Sequence, residues 1–173
     1  SLYSEKFGYY MNKNPFGKKG DFITAPNISR LFSEMIGIWI IKFWQSLGSP
    51  KKFNLIELGA GNGEMMKQII STINSFKSLN KKVNYYIFEK SPYLKKIQKN
   101  NINYYNLKWI DKFDNLSKKP TIFIGNEFFD SFPIKQFVRK NNIWFEKYVT
   151  FKKNNFSFID KKITKQYVEK LLE

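Results

Sequence analysis

Leu55-Ile56-Glu57-Leu58-Gly59-Ala60-Gly61-Asn62-Gly63 decides how this chain is read. Residues 53–58 form a short, nearly continuous apolar run, and three glycines then fall within five positions before a helical pattern opens at residue 64. A buried strand that enters a Gly-rich turn and then a helix puts the turn at the carboxyl end of a parallel strand. Open α/β sheets bind their ligands there. Glycine is needed because a β-carbon would collide with a ligand lying on the main chain, and because the turn visits positive φ. The spacing is G-x-G-x-G, not the G-x-G-x-x-G of dinucleotide turns. Glu57 stands two residues before the first glycine. A carboxylate at that point repels a pyrophosphate and attracts a cationic sulfonium or ammonium group. The plainer alternative is a strand–helix turn that holds no ligand.

Working outward, residues 83–88, 104–110 and 121–125 read as further buried strands, with helices over 64–76 and 92–100 between them. Continuous rather than alternating strands in a βαβαβ rhythm predict a parallel sheet covered on both faces, in the order 3-2-1-4. Such a sheet leaves strand four as an edge unless a C-terminal appendage covers it. Upstream, Asn27 or Ser29 caps a helix to about residue 47. Its apolar stripe is Ile28, Leu31, Phe32, Met35, Ile36, Trp39, Phe43 and Trp44. Residues 1–26 read as an irregular entry segment with turns at Asn14-Pro15 and Lys19-Gly20. After Pro133 the rhythm becomes strand–turn–strand over 134–139, 143–151 and 156–159, an antiparallel appendage followed by a helix over 164–172. The expected fold is therefore α/β and Rossmann-like. It consists of an N-terminal segment over 1–50, a core over 51–133 and an appendage over 134–173, together forming one structural domain.

Composition narrows the chemistry. With 173 residues, 42% of them hydrophobic and 18% aromatic, the chain can build a packed core. It contains no cysteine and no histidine. That excludes disulfides, thiolate nucleophiles, the usual zinc site and histidine-activated nucleophiles, and no metal is expected. The 30 Lys+Arg against 14 Asp+Glu give a net charge of +16, which at face value points to nucleic acid. Only Arg30 and Arg139 are arginines, however. The planar guanidinium is the better reader of phosphates and base edges, and the lysines spread evenly as compositional drift would. No nucleic-acid partner is expected. The longest apolar stretch, residues 35–47, is broken by Lys42 and Gln45 and is too short to span a bilayer. Without a signal peptide at its start, the chain reads as soluble and intracellular.

Two further constellations follow the glycine turn. Glu89 ends strand two, where an acid can accept hydrogen bonds from both ribose hydroxyls of an adenosine. That feature is shared by nicotinamide and sulfonium cofactors, so a nicotinamide oxidoreductase stays open on the fold alone. Directly after strand four stands Gly125-Asn126-Glu127-Phe128-Phe129-Asp130. Nucleic-acid amino-methyltransferases carry Asn-Pro-Pro-aromatic there to hold an extruded base, and Asn126 is not followed by prolines. Glu127 and Asp130, three positions apart, can instead grip a guanidinium, orient it and accept its proton as it is alkylated. The plainer reading has Asp130 capping a turn and Glu127 solvated.

The glycine turn with its preceding acid resembles motif I of class I S-adenosylmethionine (SAM) methyltransferases. Gly8-Tyr9-Tyr10, Phe16-Gly17, Gly20-Asp21-Phe22-Ile23-Thr24-Ala25-Pro26, Ile28-Ser29 and Phe32-Ser33-Glu34 resemble the N-terminal signature of MidA-type methyltransferases. Glu57-Leu58-Gly59, Glu89-Lys90-Ser91-Pro92, Trp109 and residues 126–130 continue it in order, so that the resemblance covers about 8–150. It implies a SAM-dependent protein arginine methyltransferase of a family whose mitochondrial members support assembly of respiratory complex I. Within it, Thr24, Glu57, Gly59, Gly61, Gly63, Glu89, Ser91 and Asn126 are expected to bind the cofactor, and Glu127 and Asp130 to be catalytic. The implied partner is a protein, such as a complex I subunit or its bacterial equivalent. The implied compartment is bacterial cytoplasm or the mitochondrial matrix. Members run to roughly twice this length, and the chain is read as the N-terminal part of one. The alternatives are a SAM-binding assembly factor without turnover and a lysine-rich nucleic-acid binder.

Overall fold

The computed structural model describes residues 2–17, 20–79, 81–114 and 116–172. They divide into two compact units, Ser1–Ser131 and Phe132–Glu173. Length alone allows a single domain. The chain partitions because the appendage strands pair with one another in a sheet of their own.

In the first unit, strands β1 (Phe53–Leu58), β2 (Val83–Phe88), β3 (Leu107–Ile110) and β4 (Thr121–Ile124) form a parallel sheet in the order β3-β2-β1-β4. This is the expected order. The central strand β1 is buried almost end to end, which is why it reads as a continuous apolar run. Of its two polar interior residues, Asn54 and Glu57, Asn54 is satisfied on every side. It donates to Ser117 O and Thr121 Oγ1, and accepts from Asn84 Nδ2 and Ser117 Oγ. Strand three starts three residues later than expected because Leu107 N–H closes a turn on Tyr104 O.

Helix α1 (Tyr9–Asn12) and helix α2 (Ala25–Ile28) belong to the entry segment; Lys19, part of an expected turn, lies outside the described residues. Helix α3 (Arg30–Ser46) then packs on α4 (Glu64–Asn74), and α5 (Pro92–Asn101) follows β2. Helix α4 buries Met65, Met66, Ile69, Ile70 and Ile73, a single stripe at helical spacing. The buried face of α3 matches the expected stripe only in part: Trp44 is buried and Phe32 and Ile36 pack against the core. Ser33, Gly37, Ile40, Ile41 and Trp44 turn inward, whereas Leu31, Met35 and Trp39 are 62%, 58% and 51% exposed. The cause is close helix packing: a β-carbon on Gly37 would lie 2.9 Å from Thr72 Cγ2, so small residues must occupy the contact. Among the described residues no strand pairs with the free edge of β4. On that side a cleft of about 400 Å³ is lined by Phe32, Ile36, Trp39, Met65, Phe123 and Asn126, among others.

The second unit is an antiparallel sheet of β5 (Gln136–Lys140), β6 (Ile143–Lys152) and β7 (Asn155–Lys162), followed by α6 (Lys165–Leu172). Asn141-Asn142 and Lys153-Asn154 make its two-residue turns, with φ of 47°, 62°, 49° and 62°. Positive φ at both turn positions suits the right-handed twist of the flanking strands.

Candidate functional site

The Gly turn leaves β1 at its carboxyl end and delivers the chain to α4, as its residue pattern predicts. Gly59, Gly61 and Gly63 have φ of +64°, +54° and +88°, conformations that strain any residue with a β-carbon. What faces these glycines belongs to the protein. A β-carbon on Gly59 would lie 2.6 Å from Phe128 Cδ2, one on Gly61 3.4 Å from the Phe16 ring, and one on Gly63 2.9 Å from Ile102 Cδ1. Phe128 and Phe16 thus flank the turn, which is narrower than the bare patch of main chain that the glycines imply.

Two buried carboxylates stand at the adjacent strand ends beside it. Glu57, on β1, is enclosed at 2% exposure instead of fronting the turn, and its Oε2 has no hydrogen-bond partner. Glu89 follows β2, with Oε1 accepting from Ser91 N–H at 3.0 Å and Oε2 from Gln98 Nε2 at 3.0 Å. Burial pushes the Glu57 carboxyl up to about 8; the Met66 N–H opposes this and the Glu89 charge adds to it. The Glu89 carboxyl is also raised by burial, against hydrogen bonds from Ser91 N–H and Gln98.

The folded chain therefore keeps a proton on Glu57 that the unfolded chain releases near 4.5. Stability falls as pH rises between those two values, and the cost is fully present above about 8. Glu57→Gln removes this slope. At pH 9 its melting temperature is expected to exceed that of the parent by several degrees, at about 2–4 °C per kcal/mol. The gap should close toward pH 5. A variant no more stable than the parent at pH 9, measured by calorimetry, contradicts this.

The entry segment lies over the same strand ends. Ser91 Oγ, which caps α5 by accepting from Leu94 N–H, donates to Tyr10 O at 2.7 Å. Asn27 Nδ2 donates to Thr24 Oγ1, Asn62 Nδ2 donates to Asn27 Oδ1, and Glu64 N–H donates to Asn62 Oδ1. That relay runs from buried Thr24 to the Gly turn. Tyr10 stacks on Phe16 with ring centroids 6.2 Å apart, and Tyr3 Oη donates to Ser131 O beyond β4. The segment so bridges the ends of β1, β2 and β4. Its irregular sequence has no periodicity by which this could be foreseen.

Past β4, Asn126 lines the cleft beside the edge strand, and Glu127 and Asp130 are both exposed. Glu127 has φ 50°, a left-handed conformation rarely held by a residue with a side chain. Asp130 is the middle residue of a single 3-10 turn, Phe129–Ser131, close enough to Tyr10 to raise that hydroxyl's pKa, though less than burial does. The structure thus groups Glu57, Gly59, Gly61, Gly63, Glu89 and Ser91 at one end of the sheet under the segment carrying Thr24. Asn126, Glu127 and Asp130 stand beyond the neighbouring strand. Gln98, which links two members of the first group, escaped the sequence reading because a polar residue within a helix is ordinarily solvated.

Comparison with known proteins bears on this geometry. Residues 35–173 match a protein family described as "Putative S-adenosyl-L-methionine-dependent methyltransferase". The mitochondrial protein arginine methyltransferase NDUFAF7 homolog of Drosophila melanogaster is 29% identical over 167 residues, 84% of this chain and 38% of that protein. Its counterpart in Caenorhabditis elegans is 32% identical over 171 residues, 85% of this chain and 40% of that protein. The chain spans about 40% of the length of these relatives. A Burkholderia thailandensis crystal structure bound to S-adenosyl-homocysteine superposes with a TM-score of 0.80 at 22% identity. It covers 99% of this chain and 46% of that one, and establishes the fold.

Proposed function

Since the chain belongs to this methyltransferase family, of MidA type, we propose that it holds S-adenosyl-L-methionine across residues 59–63 and Glu89 and methylates an arginine of a protein. The observation that carries the reading is the pair of buried carboxylates at adjacent strand ends beside a left-handed glycine turn. The residues fit the cofactor. Glu57 Oε2, two residues before the turn, is a buried acceptor with no hydrogen-bond partner, an orphaned polar atom of the kind a ligand site leaves. When bound, the cofactor supplies a methyl group made electrophilic by its sulfonium charge.

The chain's own groups do the positioning. Ser91 N–H, Gln98 Nε2 and Lys90 N–H hold the Glu89 carboxylate in place, and ribose hydroxyls would use its remaining acceptor capacity. Thr24, through Asn27 and Asn62, anchors the entry segment whose rings exclude water. Glu127 and Asp130 would orient a guanidinium that water keeps protonated, and take up its proton. At a net charge of +16 the chain repels cationic segments. The arginine must therefore be presented on acidic flanks or to this local acidic pair. The substrate class is a protein, with a respiratory complex I subunit or its bacterial equivalent as the first choice. The matching compartment is the mitochondrial matrix or a bacterial cytoplasm. No helix among the described residues is long and apolar enough to cross a membrane.

Incubation with tritium-labelled S-adenosyl-L-methionine and a cell lysate tests the reading. Labelled methylarginine in hydrolysed protein supports it. Cofactor binding with no label in any protein favours the assembly-factor reading over the enzyme.

A further inference from the structure

We propose that Gln98 is a positioning residue of the nucleoside site, its side-chain amide tying the glycine turn to Glu89 and setting where that carboxylate meets the ribose. The inference rests on the cofactor reading above. Gln98 lies on α5 and is fully buried at 0% exposure. Nε2 donates to Gly61 O at 2.9 Å and to Glu89 Oε2 at 3.0 Å. Oε1 accepts from Trp109 Nε1 at 2.9 Å. The indole N–H can only donate, so it determines which end of the amide is oxygen, and both N–H groups are then committed to the turn and the carboxylate. One side chain from a third element thus spans β1's exit and β2's end.

A leucine or methionine would fill the same space but leave Trp109 Nε1, Gly61 O and Glu89 Oε2 without this partner, so packing alone gives no reason for an amide here. The geometry does. Gly61 is where the main chain reverses, and Glu89 is the acid that faces the ribose; their separation is set through this amide. Its donated hydrogen bond also favours the ionised form of Glu89. That acts with Ser91 N–H, Lys90 N–H and the charge of Lys95 against burial. The neighbouring Glu57 carboxyl on β1 is coupled to Glu89 and is raised by it. Losing the amide moves Glu89 toward its protonated form, and affinity for the nucleoside then drops at a higher pH than in the parent.

The test is calorimetric titration of the 173-residue chain with S-adenosyl-homocysteine from pH 6 to 9. It compares the parent, Gln98→Met, Glu89→Gln and the double variant, with melting temperatures recorded in parallel. Gln98→Met is expected to bind about tenfold more weakly at pH 7, as loss of a hydrogen bond to a charged group implies. Its pH midpoint should move upward, and in the Glu89→Gln background Gln98→Met should cost no further affinity. Trp109→Phe, which frees the amide to rotate without emptying its site, is expected to shift the profile the same way by less. It decides the matter if Gln98→Met does not fold. Equal losses in both backgrounds with an unmoved pH profile would mean simple packing and overturn the inference. A parent chain that binds no S-adenosyl-homocysteine overturns the cofactor reading itself, and this inference with it.

Discussion

Gly61→Val is expected to fold yet to bind S-adenosyl-homocysteine about a hundredfold more weakly than the parent, a loss of ~2.7 kcal/mol. At φ +54° a branched side chain strains the turn, and its β-carbon comes within 3.4 Å of the Phe16 ring. That ring can give by a few tenths of an ångström, so the fold survives while the strained turn and the displaced Phe16 ring no longer present the parent's binding surface. Gly59→Val is a different experiment. There the β-carbon would lie 2.6 Å from Phe128 Cδ2. Overpacking of about 1–3 kcal/mol then adds to the left-handed strain. Its melting temperature is expected to fall well below that of Gly61→Val, so the Gly61 variant is the cleaner reporter of the site. Parent-like affinity in folded Gly61→Val would remove the turn from the binding surface.

The second large effect belongs to Glu127. Glu127→Gln is expected to leave S-adenosyl-homocysteine affinity unchanged and to lower methyl transfer to the protein substrate by about a hundredfold to ten-thousandfold. The variant keeps shape and hydrogen bonding but cannot take up the proton released as a guanidinium is alkylated. Glu127 holds φ 50° at the exit of β4. A conformation of that kind costs on the order of 1–3 kcal/mol, and such strain concentrates where a side chain must be aimed. Glu127→Gly should therefore raise the melting temperature while also abolishing transfer. A Gln variant that turns over like the parent takes Glu127 out of the chemistry.

The parts of the fold that were legible are those where one physical signal dominates. The run of buried residues in β1 and the three glycines behind it announce a parallel strand and its ligand-end turn. The order β3-β2-β1-β4 follows from the βαβ rhythm. Periodicity found Phe32, Ile36 and Trp44 of α3 but missed its small buried residues, because it selects the side richest in large apolar groups whereas the contact with α4 demands Gly37 and Ser33. The resemblance makes Thr24 a cofactor contact, but no propensity in the entry segment places it at the site. The segment is held there by single hydrogen bonds such as Ser91 Oγ to Tyr10 O, which composition cannot reveal. Glu57 was legible as an acid beside the turn. Its enclosure and raised pKa were not, because they depend on what α4 stacks above it.

The most direct measurement is calorimetric titration of the parent chain with S-adenosyl-homocysteine and, separately, with NADH, followed by a structure of the complex. Saturable binding of the first alone is expected, with the ribose against Glu89 and the amino-acid end near Glu57. Preference for NADH, or a nucleoside seated away from residues 59–63, would contradict the account.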